Sequence, residues 1–232
     1  MKKSSKNRLM PRHSFLFDSE SLFDRIARAV CNAGTLPRKE LYESWETARR
    51  VRRKYRGGRV VDLACGHGLL AHIMMILDNK SDCALAVDIN IPRNAEKLSQ
   101  SLVKTWPRLK NRIYYREMPI QDVEIHPGDV VVSAHACGSL TDQVLNKAIE
   151  ANARVAVLPC CQDLKTCDAG SLTNWMEPSL AIDTVRALRL QSKGYHIITQ
   201  KISDAITPKN RLLMGHPVLP ISSREGKTCS CF

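Results

Sequence analysis

Apolar positions recur at two different periods along this 232-residue chain. Between residues 18 and 33, Leu22, Ile26, Ala29 and Val30 fall at steps of three to four, which predicts a helix with one buried face. Ser19 or Ser21 can cap its start, and Asn32-Ala33-Gly34 stops it. A second helix is predicted from Arg38 to Tyr55, after Pro37 and before Gly57-Gly58. From residue 59 the pattern changes. Short apolar runs near 59–64, 83–88, 112–116, 129–134, 154–159, 195–202 and 210–214 read as strands. Helical patterns near 68–78, 92–105, 139–151 and 178–193 lie between them. Strands alternating with helices imply an α/β fold built on a mostly parallel sheet with right-handed crossovers. The last two strands are joined by a link too short for a helical crossover, so they should be antiparallel. Three parts are expected: a basic helical extension over 1–55 that is loose over 1–13, an α/β domain over 56–217, and a flexible tail over 218–232.

The junction of the first strand with the helix after it carries the sharpest signal. Residues 59–71 read Arg-Val-Val-Asp-Leu-Ala-Cys-Gly-His-Gly-Leu-Leu-Ala. An apolar run holding Asp62 meets a turn of small residues with Gly66 and Gly68, and an apolar helix follows at once. Glycine allows both the turn and a close approach of ligand to backbone. Open α/β sheets bind nucleotide-like cofactors at such a turn. The dinucleotide pattern Gly-x-Gly-x-x-Gly is incomplete here, because Ala71 stands at the third position. A second acidic residue, Asp88, ends the next strand. A carboxylate there can accept hydrogen bonds from both hydroxyls of a ribose.

Charge is concentrated. Positions 1–59 hold 16 Lys and Arg against 6 Asp and Glu, while positions 60–232 hold 19 against 17. The density peaks at Arg49, Arg50, Arg52, Arg53, Lys54, Arg56 and Arg59. Such a patch attracts phosphate backbones without reading sequence, although a solvated helix face has the same appearance. Aromatic residues make up only 5% of the chain, too few for a base-stacking platform. No apolar run approaches the ~18 residues of a membrane span, and no apolar core follows the basic start. A cytoplasmic protein is therefore expected, with no membrane association and no inferable obligate protein partner. The nine cysteines are an odd number with two of them adjacent, which argues against a disulfide framework.

The remaining chemistry sits at strand tips. The fourth strand runs into Ala134-His135-Ala136-Cys137-Gly138-Ser139-Leu140-Thr141-Asp142. The fifth runs into Pro159-Cys160-Cys161-Gln162, and Pro119-Ile120-Gln121-Asp122 follows the third. The carboxyl ends of parallel strands form one edge, so His135, Cys65, Cys137, Cys160 and Cys161 should converge there. His135 has the right basicity for a general base, or its ring shapes the pocket. The cysteines admit three roles: lining the floor of the cleft, holding zinc, or acting as a thiolate nucleophile. Adjacent cysteines are a poor pair of ligands for one tetrahedral ion and no Cys-x-x-Cys is present, so no metal is expected.

Asp-x-Ala-x-Gly-x-Gly resembles the first motif of the Rossmann-like S-adenosylmethionine methyltransferases. The expected seven strands with a closing antiparallel hairpin strand resemble their sheet. His-Ala-Cys-Gly-x-Leu-Thr-Asp with Pro-Cys-Cys is similar to the branch that includes the tRNA acceptor-stem 2′-O-methyltransferase and the glutathione-S-transferase-C-terminal-domain-containing protein. The resemblance spans roughly positions 57–216, and the chain lacks that tRNA enzyme's Cys/His zinc-finger region. It implies S-adenosylmethionine as cofactor, held by Asp62, Ala64, Cys65, Gly66, Gly68, Asp88, Ile89, Asp122 and His135. It implies a catalytic or substrate side at His135, Cys137, Pro159, Cys160 and Cys161. RNA, tRNA or rRNA, is the expected acceptor, with Arg49, Arg50, Arg52 and Arg53 holding it. A small molecule or a protein side chain are the alternatives, as is a non-catalytic RNA-binding protein that retains the pocket.

Overall fold

The computed structural model describes residues 2–218; the tail expected over 218–232 lies almost wholly outside them. Seven strands form one sheet: β1 (Val60–Leu63), β2 (Ala84–Asp88), β3 (Ile113–Glu117), β4 (Val130–Ser133), β5 (Arg154–Val157), β6 (Tyr195–Lys201) and β7 (Arg211–Pro217). Their order is β3-β2-β1-β4-β5-β7-β6. Strands β1 to β5 are mutually parallel where they pair, and β7 runs antiparallel to both β5 and β6. The expected architecture is thus observed, hairpin included. The order reverses on either side of β1, and a crevice opens there at the carboxyl ends of β1 and β4.

Successive residues of the central strands enter opposite cores, as the two-residue period of a strand requires. Val60, Val130, Val132 and Ala156 pack on one face; Val61, Leu63, Val131, Val155 and Val157 pack on the other. Burial on both faces is why these strands read as unbroken runs of Val, Leu and Ala rather than as alternating patterns. The second face is covered by α5 (Leu140–Glu150) and α6 (Pro178–Ser192). The first is covered by α3 (Leu69–Leu77) and α4 (Ala95–Thr105), and outside them lie α1 (Leu22–Ala33) and α2 (Arg38–Lys54).

Helix α1 follows its sequence signals closely. The Ser21 hydroxyl accepts from the Asp24 amide at 3.1 Å, and Gly34 closes the helix in the left-handed conformation. Ile26, Ala27 and Val30 are fully buried, and Ser101 of α4 donates to the Ala29 carbonyl.

The segment before α1, expected to be loose over 1–13, is tied down. Leu9 is fully buried and its amide donates to the Leu36 carbonyl at 2.8 Å. The amides of Arg38 and Lys39 donate to the carbonyls of Asn7 and Ser5. A 3-10 turn over Pro11–Leu16 then leads to Phe17, also buried. The surrounding Lys and Arg side chains suggested a solvated tail, but two apolar anchors at 9 and 17 hold the segment against the core.

Candidate functional site

At the carboxyl tip of β1 the backbone turns through small residues at alternate positions. Ala64 (φ 57°), Gly66 (φ 52°) and Gly68 (φ 74°) all take left-handed conformations. The two glycines do so for different reasons. A Cβ on Gly68 would lie 2.6 Å from Tyr115 Oη, whose hydroxyl donates to the His67 carbonyl at 2.9 Å. Gly68 is therefore required by packing beneath the loop. A Cβ on Gly66 would meet nothing within 4 Å. Gly66 borders open space, and its backbone is what a ligand can approach.

Two carboxylates organise this loop. Asp62 is buried and accepts the Ala71 amide at 3.1 Å, in the first turn of α3. Burial pushes its carboxyl up to about 8, against the Ala71 hydrogen bond and with a further push from Asp88. Asp88, at the tip of β2, accepts the Gly66 amide at 2.8 Å through Oδ2. Its Oδ1 makes only a long contact with the Asn90 amide, 3.4 Å, so it retains acceptor capacity. Ile89 follows and is 75% exposed, an apolar side chain standing free beside an acidic one. Asp122 lies exposed in the 3-10 turn Ile120–Asp122 after β3, on the same edge. Cys65 is half-buried, and its thiol is raised, chiefly by burial and then by Asp62 and Asp88.

The roof of the cleft comes from α2 and from Leu36, two residues before it. Leu36, Glu40 and Ser44 face Asp62, Ala64, Cys65, His67, Ala134 and His135 across a narrow cavity of about 20 Å3. That is room for about one water, so the bulk of any ligand must lie in the open groove beside Gly66, Asp88 and Ile89. Glu43 is buried in this roof. One oxygen pairs with Lys39 at 3.1 Å; the other stands 3.5 Å from His135 Nε2, and neither of these two facing atoms has a hydrogen-bond partner. Burial lowers the basicity of His135, and Glu43 partly restores it. Burial, and Glu43 nearby, also raise the Glu40 carboxyl.

The roof residues Glu40, Glu43 and Ser44, and Tyr115 beneath Gly68, were not anticipated from sequence. One signal was present. Leu41, Ser44, Ala48 and Val51 form the buried stripe of α2, and a serine in such a stripe needs a reason.

The loops after β4 and β5 meet as expected. Pro159 is buried, and the sulfurs of Cys137, Cys160 and Cys161 lie within 4.8 Å of one another. Asp142 lies in the first turn of α5. It holds Arg186 at 2.9 Å, and Arg186 also donates to the Gly138 carbonyl, which fixes the loop carrying Cys137.

The basic run is corrected most. Arg52 is only 1% exposed: it pairs with Asp78 at 3.2 Å and donates to the Met74 carbonyl and the Ser81 hydroxyl. It joins α2 to the far end of α3 and cannot reach a nucleic acid. Arg59 is likewise buried against Asp129 at 2.7 Å. Arg49 and Arg50 are half-buried on Glu46. Arg53 is exposed, but it follows Arg52 at the end of α2 remote from the roof. Exposed cations also lie in the N-terminal segment, at Lys2, Lys3, Lys6, Arg8 and Arg12. Their segment bridges to Pro37, and Arg8 acts electrostatically on His67 of the loop after β1.

Among the described residues no helix is long and apolar enough to cross a membrane. In fold, the chain is similar to an O-methyltransferase family protein from Burkholderia thailandensis, at a TM-score of 0.52 and 14% identity. That match covers 90% of this chain and 63% of the other, so the chain spans less than two thirds of that protein. It is similar to magnesium protoporphyrin IX methyltransferase from Synechocystis PCC 6803, whose structure holds S-adenosylhomocysteine (TM-score 0.50, 14% identity, covering 84% and 94%). It is also similar to a candidate RNA methyltransferase from Pyrococcus horikoshii (TM-score 0.50, 15% identity, covering 76% and 84%). No curated protein sequence matches it. The profile of a methyltransferase domain matches residues 39–166, more than half of the chain. With the glycine loop, the acidic tip of β2 and this sheet order, that match makes the chain a member of the methyltransferase-domain family, enzymes that take their methyl group from S-adenosylmethionine.

Proposed function

We propose that the protein methylates RNA, with the cofactor held along the groove from Asp62 to Ile89. The observation that carries the cofactor assignment is the contrast at the loop. Gly66 faces open space beside an acceptor-rich Asp88 and an exposed Ile89. Asp88 suits the ribose hydroxyls, Ile89 offers an apolar surface to the base, and Asp122 is placed to accept the adenine amino group. Asp62 and Glu40 line the enclosed end, and a ligand bearing a sulfonium and an ammonium would favour their ionised forms. The cofactor supplies an electrophilic methyl group; the chain's task is to hold the acceptor in line with it and exclude water.

RNA as acceptor is supported by the exposed cations of residues 2–12, among which Arg8 acts on His67, and by the narrower likeness of the His-Ala-Cys-Gly and Pro-Cys-Cys segments. His135 is the proposed proton acceptor for a ribose hydroxyl. Burial lowers its basicity, and the facing Glu43 side chain, 3.5 Å away, would stabilise its charged form once the proton is taken. The cleft thiols Cys137, Cys160 and Cys161 are free.

Calorimetry with S-adenosylmethionine and S-adenosylhomocysteine tests the cofactor site, with Asp88→Ala as the control that should lose binding. Labelled methyl transfer into bulk tRNA and rRNA tests the acceptor. Neutralising Lys2, Lys3, Lys6 and Arg8 should weaken RNA binding and flatten its salt dependence by about 0.7–0.9 for each phosphate no longer neutralised. Cofactor binding without any transfer to RNA would discard the RNA reading and leave a small-molecule or protein acceptor.

A further inference from the structure

Three thiols from two loops converge at the cleft edge. Because β4 and β5 are paired neighbours with Ser133 opposite Val157, the residues just beyond them are neighbours as well. The Gly138 amide donates to the Cys161 carbonyl at 3.1 Å and ties the two loops together. Adjacent residues of an extended chain point to opposite sides. Cys160 and Cys161 do not: their sulfurs are 3.8 Å apart and both approach Cys137, whose sulfur is 2.8 Å from that of Cys160. The objection that two adjacent cysteines cannot share a tetrahedral ion therefore fails here, because the irregular backbone after Pro159 brings their sulfurs to one side.

The spacing can be compared with a zinc–thiolate site. With Zn–S bonds of about 2.3 Å, the sulfurs of a tetrahedral ion stand about 3.8 Å apart along each edge. The Cys160–Cys161 separation already equals that edge, and Cys137 and Cys160 need to part by about 1 Å. Among the described residues the group has three members, which leaves one position for an exogenous ligand. Cys137 and Cys161 are exposed, so an ion has a path in.

We propose that Cys137, Cys160 and Cys161 bind one zinc ion as thiolates, with a fourth position open to solvent or substrate. Each thiol gives up one proton as its Zn–S bond forms, so loading releases three protons and involves no change of oxidation state. The ion joins the loops after β4 and β5 into a single unit on the substrate side of the cleft. The site is independent of the cofactor groove and stands whether or not RNA is the acceptor.

The test uses the full chain, purified without chelator and kept reduced. Metal analysis should find one zinc per chain. Cobalt(II) added to the zinc-stripped protein should give a thiolate-to-metal charge-transfer band with an end point at one equivalent. Cys137→Ser, Cys160→Ser and Cys161→Ser should each weaken affinity at least about tenfold, while Cys65→Ser and Cys167→Ser leave it unchanged. Thermal melts identify any variant that fails to fold. For such a variant, the stoichiometry of proton release by the parent protein replaces the titration, with three protons expected. Absence of both zinc and a cobalt band from reduced, folded protein would overturn the proposal. So would a Cys137–Cys160 disulfide in freshly isolated protein together with unchanged cobalt binding by Cys161→Ser.

Discussion

Gly66 and Gly68 share a backbone conformation and differ in surroundings, so the same substitution should have separable effects. Placing alanine at a left-handed position costs about 1–2 kcal/mol. At Gly66 that is the whole cost, because the new Cβ meets nothing within 4 Å. For a chain of this size, 1 kcal/mol lowers Tm by about 2–4 °C, so Gly66→Ala should lose roughly 2–8 °C. At Gly68 the Cβ would lie 2.6 Å, 2.9 Å and 3.0 Å from Oη, Cε1 and Cζ of Tyr115. A ring edge cannot yield like a flexible chain end, and overpacking adds about 1–3 kcal/mol. Displacing Tyr115 also strains its hydrogen bond to the His67 carbonyl, worth about 1 kcal/mol. Gly68→Ala should therefore cost about 3–6 kcal/mol in all. Binding should show the opposite ranking relative to stability. Gly66→Ala fills the space a ligand needs and should weaken S-adenosylhomocysteine at least tenfold, about 1.4 kcal/mol, in a protein that remains folded. Differential scanning fluorimetry and calorimetry read both quantities. If Gly66→Ala binds as tightly as the parent, or melts as low as Gly68→Ala, the groove is not where the cofactor lies.

Further tests follow from the buried charges and the strained turn. Arg52→Ala should destabilise by up to about 3–5 kcal/mol because it removes the buried partner of Asp78 and leaves it Arg56 at 3.9 Å and the Gly57 and Lys80 amides, whereas Arg53→Ala should stay within about 0.5 kcal/mol; equal melting temperatures would refute the assignment. Asp62 has its folded carboxyl raised from 3.8 to about 8, so its contribution to stability is fully present below pH 3.8 and is lost as pH rises through about 8. Asp62→Asn, which mimics the neutral form, should remove that loss, and parallel melting curves of the two proteins from pH 5 to 9 would contradict it. Ala64 sits at φ 57° without being glycine; Ala64→Gly should raise Tm by about 2–4 °C through relief of about 1 kcal/mol, and a lower Tm would show the turn to be unstrained.

The sheet was legible because burial on two faces leaves an unambiguous sequence trace. Val60-Val61-Asp62-Leu63 and Val130-Val131-Val132-Ser133 have few other ways to bury their side chains. The loop was legible for a different reason: two closely spaced glycines after a strand restrict the backbone to a few shapes. Which glycine faced the ligand was not readable, since that depends on Tyr115 in the distant strand β3. The basic run misled because a count of charges carries no information about burial. Arg52 and Arg59 are engaged by Asp78 and Asp129, partners fixed only once α2 lies on α3 and β1 lies beside β4. The placement of α2 over the cleft, and hence Glu43 opposite His135, is likewise a tertiary fact. The convergence of cysteines followed from sheet order, but the shared side of Cys160 and Cys161 depends on the irregular backbone after Pro159.

The burial of Arg52 bears on how this protein can evolve. The segment before β1 differs in charge from the rest, yet its apolar side chains share one core with β1, β4 and α3, and Arg52 closes that joint from inside. It is not an interchangeable attachment. Shedding or replacing it would strip the outer wall from α3 and the roof from the cofactor cleft together. Drift toward a new acceptor is thus confined to the outward-facing positions of this segment, while its inner face is held under the same constraint as the sheet.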